Sequence, residues 1–122
     1  MATSQDYTPR LGNGGVQRFE LQHLVCEGRH TLVLAGELDM AAALDLEIQI
    51  VAHADRAWSL TLDLSKLSFM DSTGLHLILF ARDLCQVKGA EFALIPGPRQ
   101  VQRIFELTGL LDRLPFQIEL AT

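Results

Sequence analysis

Ser72 is the residue in this chain best placed for chemistry. It stands in Asp71-Ser72-Thr73-Gly74, after the alternating run Leu62-Asp63-Leu64 and a short loop, at the head of a long segment with helical apolar spacing. A helix N-terminus collects free N–H groups and the positive end of the macrodipole, so an anion is stabilised there. A serine at that point can cap the helix, attack as a nucleophile or accept a phosphate. Hydrolase chemistry needs a base, and His76, four residues on, shares a helix face with Ser72. Yet no Gly-x-Ser-x-Gly elbow surrounds the serine, no carboxylate is placed to orient His76, and nothing supplies an oxyanion hole. The nucleophile is set aside on those grounds, and the protein is not read as an enzyme. Cap and acceptor stay open. Thr73, an early helical residue, reads as structural.

Other chemistries find little support. Cys26 and Cys85 are too few for a disulfide scaffold and lack metal-ligand spacing, so they read as buried thiols, with a redox pair as the alternative. Pro96-Gly97-Pro98 is a turn, and no Walker pattern or dinucleotide fingerprint occurs, so no cofactor or metal is expected. The formal charge of −5 is unevenly placed. Seven acidic residues, Glu37, Asp39, Asp45, Glu47, Asp55, Asp63 and Asp71, lie between Glu37 and Asp71 against only Arg56 and Lys66. The rest of the chain balances to zero, and no basic stripe offers itself to nucleic acid. A protein partner should therefore be locally basic. Arg99 and Arg103 share a face of a C-terminal helix and read as solvated.

The elements that must position Ser72 follow from periodicity. Residues 1–15 are polar, carry Pro9 and three glycines, and read as a disordered tail ahead of one domain spanning 16–122. Phe19, Leu21 and Val25 alternate with polar neighbours, and Thr31-Leu32-Val33-Leu34-Ala35 is nearly continuously apolar, so the two runs predict a hairpin about Glu27-Gly28-Arg29. Asp39 is the N-cap of a helix to about His53, in which Leu44, Ile48 and Val51 mark one face with Leu46 and Ile50 beside it. Trp58 to Leu64 alternates as a strand. A second helix runs from Ser72 to about Val87, with Leu77, Phe80, Ala81 and Leu84 on one face, and Lys88-Gly89 closes it. Phe92 to Ile95 predicts a strand, Arg99 to Leu107 a helix, and Phe116, Ile118 and Leu120 a last strand. The order is β-β-α-β-α-β-α-β: an α/β fold with a mixed, mostly parallel sheet and helices packed on it. No apolar run approaches the roughly 18 to 20 residues of a membrane span, and the N-terminus lacks signal-peptide character, which predicts a soluble cytoplasmic protein with no membrane partner.

With these elements in order, the chain resembles a STAS domain, the fold of bacterial anti-sigma factor antagonists. The likeness rests on Gly36-Glu37-Leu38-Asp39 before the first helix, on Leu62 to Ser65 and Phe69-Met70-Asp71-Ser72-Thr73-Gly74-Leu75 before the second, and on Ile104-Phe105-Glu106-Leu107-Thr108-Gly109-Leu110. It covers roughly Val16 to Leu120. The resemblance implies that Ser72 is phosphorylated by an anti-sigma factor that is itself a serine kinase. It implies further that the unmodified form captures that kinase and frees a sigma factor, and that a PP2C-type phosphatase resets the switch. Partner contacts are expected from Glu37, Asp39, Phe69, Met70, Asp71, Thr73, Gly74 and Leu75, in a monomer or weak dimer. His76 departs from the pattern, since family members often carry a small residue there. The competing expectation is a non-switching STAS scaffold or sensory subunit of a larger stress-signalling or lipid-transport assembly.

Overall fold

A computed structural model of the protein describes residues 3–7 and 19–117. The described elements are β1 (Thr3–Tyr7), β2 (Glu20–Cys26), β3 (Arg29–Leu38), α1 (Met40–Ala54), β4 (Ser59–Met70), α2 (Ser72–Lys88), β5 (Glu91–Ile95) and α3 (Arg99–Leu107). The five strands form one sheet in the order β1-β2-β3-β4-β5. The β1–β2 and β2–β3 pairs are antiparallel, and the β3–β4 and β4–β5 pairs are parallel. This is the mixed α/β architecture expected from the alternation of periods.

Three expectations change. Part of the expected tail, Thr3–Tyr7, is a strand whose residues pair with Leu21–Val25 of β2. A polar stretch without alternation gives no periodic signal, yet its backbone satisfies the N–H and C=O groups that β2 would otherwise present at an open edge. Second, β4 does not stop at Leu64 before a short loop but continues to Met70. The ladder slips one register step after Val33–Asp63, where the Asp63 carboxylate accepts from the Ser65 N–H at 2.9 Å, and resumes at Ala35–Lys66. Third, the expected last strand appears only as a parallel bridge between Leu94 and Phe116, while Ile118 and Leu120 lie outside the described residues.

The core lies between the sheet and its helices. Leu32, Leu34 and Leu38 of β3, Leu60, Leu62 and Leu64 of β4 and Leu94 of β5 are fully buried together with Leu46 and Ile50 of α1, Ile78 and Ala81 of α2 and Phe105 of α3. The face of α1 that meets this core is not the expected one. Ala42, Ala43, Leu46, Ile50 and Ala54 are buried, whereas Leu44, Ile48 and Val51 stand 68%, 64% and 42% exposed. The helix carries more apolar residues than one face can bury, so periodicity alone does not choose the face. The small alanines permit close approach to the sheet and to α2, and they set the choice. In α2 the buried set is Gly74, Leu75, Leu77, Ile78, Ala81 and Cys85, and Phe80 is pushed to the surface at 36%.

Both cysteines are free thiols; Cys85 is buried and Cys26 half-buried. Burial pushes the Cys85 thiol up to about 11, which suits a packing residue rather than a reactive one. Among the described residues no helix is long and apolar enough to cross a membrane, and no group of three or more His, Cys, Asp or Glu could hold a metal ion.

Three histidines join the end of α1 to the β2–β3 hairpin. His53 Nδ1 lies 2.6 Å from His30 Nδ1, and His53 Nε2 lies 3.2 Å from His23 Nδ1. His30 and His53 are 6% and 5% exposed. A chain of neutral rings satisfies both contacts with one proton in each, so a further proton would be a charge taken out of water. Burial first, then His23, His30 and Arg56, lower His53 to about 4; burial is also the leading cause that lowers His23 and His30. A base whose folded pKa lies below its unfolded value stabilises the fold fully above the unfolded value of about 6.5, and that stabilisation is lost as the pH falls toward the folded one. The urea midpoint is therefore expected to drop between pH 6.5 and 4. His53→Gln, which cannot take up the proton, should flatten that slope; an unchanged slope would rule out the cluster as its origin.

Candidate functional site

The site is assembled by two parallel strands ending side by side. Leu38 of β3 pairs with Met70 of β4, and Glu37 pairs with Phe69. The next residues, Asp39 and Asp71, take nearly the same extended backbone (φ −110°, ψ −172° and φ −107°, ψ −171°) and cap α1 and α2. Asp39 accepts from the Ala42 N–H at 3.0 Å. Asp71 accepts from the N–H groups of Thr73 at 2.9 Å and Gly74 at 3.4 Å. Gly36 makes this alignment possible: at φ +89° it sits where the β3–β4 register shifts, a backbone state that L side chains resist.

The cap question is thereby answered. Asp71 is the N-cap, and Ser72 is the first helical residue, exposed, with its hydroxyl in no hydrogen bond among the described residues. The serine is not held to the helix end by its own side chain. It lies at the positive end of α2, with two capping carboxylates on the adjoining strand ends.

The other expected contact residues divide by burial. Glu37, Asp39, Asp71 and Thr73 are half-buried at or beside the two strand ends, and Phe69, paired with Glu37 and three residues before Ser72, is 45% exposed. Met70 and Leu75, at 3% and 5% exposure, are core residues with no surface to offer, and Gly74 is buried as well. Gly74 has a packing reason for its identity: a Cβ there would lie 2.5 Å from Met70 Cγ and 3.0 Å from Leu38 Cδ2. Overpacking of this kind costs about 1–3 kcal/mol, against about 1 kcal/mol that alanine gains over glycine in a helix. Gly74→Ala is therefore expected to lose about 1 kcal/mol net, measured by urea titration. A gain in stability would mean that Met70 swings aside freely.

One feature of the site was not anticipated from periodicity. Beside Ser72, α1 and α2 enclose a groove of about 430 Å³ whose lining includes Met40, Leu44 and Glu47 from α1 and Thr73, His76 and Phe80 from α2. The available signal was an excess of apolar residues on α1, where Met40, Leu44, Ile48 and Val51 follow one another at helical spacing.

The STAS domain family model matches residues 24–122. The anti-sigma-B factor antagonist of Bacillus subtilis (strain 168) is 32% identical over 79 residues, 65% of this chain and 72% of that protein. This chain belongs to the STAS family, among the anti-sigma factor antagonists. Solved structures agree on the fold. The STAS domain described here matches the crystal structure of an anti-sigma factor antagonist from Mycobacterium paratuberculosis with a TM-score of 0.72 and 27% identity, over 90% of this chain and 92% of that one. It also matches the Bacillus cell fate determinant SpoIIAA in its phosphorylated form, with a TM-score of 0.64 and 23% identity, over 83% of this chain and 92% of that one.

Proposed function

We propose that this STAS domain is a phosphorylation-controlled antagonist that acts by binding, in the cytoplasm, without catalysis of its own. The unmodified form binds an anti-sigma factor that is itself a serine kinase, which releases the sigma factor. Phosphorylation of Ser72 switches that binding off, and a PP2C-type phosphatase restores it. ATP belongs to the kinase. Glu37, Asp39, Phe69, Asp71 and Thr73 supply the surface around the acceptor.

The observation that carries this reading is the division of labour at the start of α2: Asp71 caps the helix, so the Ser72 hydroxyl is exposed and uncommitted. A kinase needs such a hydroxyl, and the same helix terminus stabilises the phosphate once it is attached. The names of the relatives support the antagonist role, and SpoIIAA, a relative in fold, has been solved with phosphate attached.

Incubation with ATP and each anti-sigma factor kinase of the source organism, expressed singly, tests the assignment. Mass spectrometry should place one phosphate on Ser72, and Ser72→Ala should stay unmodified while still binding the kinase. Modification that persists in Ser72→Ala would overturn the site. A stable high-order homo-assembly in light scattering would favour a scaffold instead.

A further inference from the structure

Beyond the acceptor serine, α1 leaves a line of large apolar side chains uncovered. Met40, Leu44, Ile48 and Val51 are 70%, 68%, 64% and 42% exposed, and Phe80 of α2 adds a fifth at 36%. Isolated exposed hydrophobics are ordinary, but a contiguous stripe beside a groove marks an interaction surface. From Met40 to Val51 the stripe runs about 16 Å along the helix axis, the length of three helical turns.

The rim says what kind of surface would cover it. At about 100° per residue, Glu47 falls roughly 60° to one side of Leu44 around α1 and Asp45 roughly 100° to the other. The stripe is thus flanked by carboxylates, within the segment that holds the chain's whole acidic excess. A second copy of this chain would bring like charges face to face, whereas a basic surface complements them. Thr73, which lines the groove, is the neighbour of Ser72, so a segment seated there reaches the acceptor.

We propose that the α1–α2 groove, together with the exposed α1 stripe that borders it, receives an amphipathic helix of the anti-sigma factor, about three turns long, with apolar side chains toward Met40, Leu44 and Phe80 of the groove and Ile48 of the stripe, and Lys or Arg side chains toward Glu47 and Asp45 on its flanks. This rests on the function proposed above and adds where and by what the partner is held. The groove grips the partner through apolar contact, and Ser72 at its end decides whether the grip is permitted.

The test is a titration of the full-length chain against the anti-sigma factor that binds it in the kinase assay. Leu44→Asp and Ile48→Asp should each weaken binding at least tenfold. Glu47→Lys should weaken it several-fold, by an amount that shrinks as salt is raised. Val87→Asp, at an 82% exposed position far along α2, should bind as the unmodified sequence does. Urea midpoints for the variants should stay near that of the parent, because the replaced side chains lie outside the core. Unchanged affinity in Leu44→Asp and Ile48→Asp would overturn the groove while leaving the antagonist reading in place. Failure of the parent chain to bind any anti-sigma factor would overturn both. A concentration-dependent dimer that Leu44→Asp abolishes would make a second copy the occupant and overturn the proposal.

Discussion

A phosphate on Ser72 is expected to weaken capture of the anti-sigma factor by more than tenfold. Phosphorylation adds about −1.5 to −2 charges at neutral pH. The Leu38–Met70 pairing sets Asp39 and Asp71 on neighbouring strand ends, and adjacent strands run about 4.8 Å apart. In the free protein, water screens the repulsion between each carboxylate and the phosphate: at ~6 Å a unit pair costs about 0.7 kcal/mol at the dielectric of bulk water. When a partner packs over the site and the effective dielectric falls to about 20, the same pair costs about 2.8 kcal/mol. The difference of about 2 kcal/mol is charged against binding, and 1.4 kcal/mol is a factor of ten. The N-terminus of α2 returns only about 0.3–1 kcal/mol on an exposed surface. Calorimetric titration of the phosphorylated and unmodified chains measures this directly, and the gap should narrow as salt rises. Equal affinities would mean that the partner does not pack over Ser72. Ser72→Glu brings a single charge and should reproduce only part of the effect.

The second large effect is expected at Leu38, the floor of the site. Leu38 is fully buried, its carbonyl accepts from the Asp71 N–H at 3.4 Å, and its side chain lies where a Cβ on Gly74 would fall, at 3.0 and 3.1 Å. Leu38→Ala removes three carbons from beneath two helix starts and is expected to cost about 2–5 kcal/mol, a large share of the roughly 5–15 kcal/mol that holds a domain together. The room vacated is part of the room that Gly74→Ala lacks, and it also lets the Met70 side chain, whose Cγ would lie 2.5 Å from the new Cβ, move aside. In a double-mutant cycle read by urea unfolding, Gly74→Ala should therefore be less damaging on the Leu38→Ala background than alone. Strict additivity would show that Leu38 and Gly74 do not share that space. The two experiments separate the surface of the site from its foundation: one changes affinity at constant fold, the other changes the fold's stability.

Much of this site was legible before any tertiary contact was known. The Asp39 cap, the extent of α2 and its closure at Gly89 depend on residues within a few positions of one another, and local patterns report them faithfully. The placement of Ser72 at a helix start and the acidic excess around it belong to the same class. Other assignments depended on packing at a distance. Met70 and Leu75 sit in the motif beside Ser72 but point into the core, because the alternation of β4 and the pitch of α2 turn them inward. Leu44, Ile48 and Val51 had the spacing of a core face, yet Ala42, Ala43, Leu46 and Ile50 took the core. Thr3–Tyr7 joined the sheet through backbone pairing, which leaves no hydrophobic trace in a sequence.

The sequence by itself determined an α/β fold with a serine at the head of its second helix, because helix starts and strand alternation are local properties. Only the tertiary structure decided that Asp71 takes the cap, that Asp39 and Asp71 end neighbouring strands, and that the apolar stripe of α1 faces outward beside them. Register and burial are agreements between segments 30 residues apart in the chain, as Leu38 and Met70 are separated by 32. No window of neighbouring residues contains such an agreement. The Ser72 hydroxyl is exposed because that agreement places a carboxylate, rather than the serine itself, at the end of the helix.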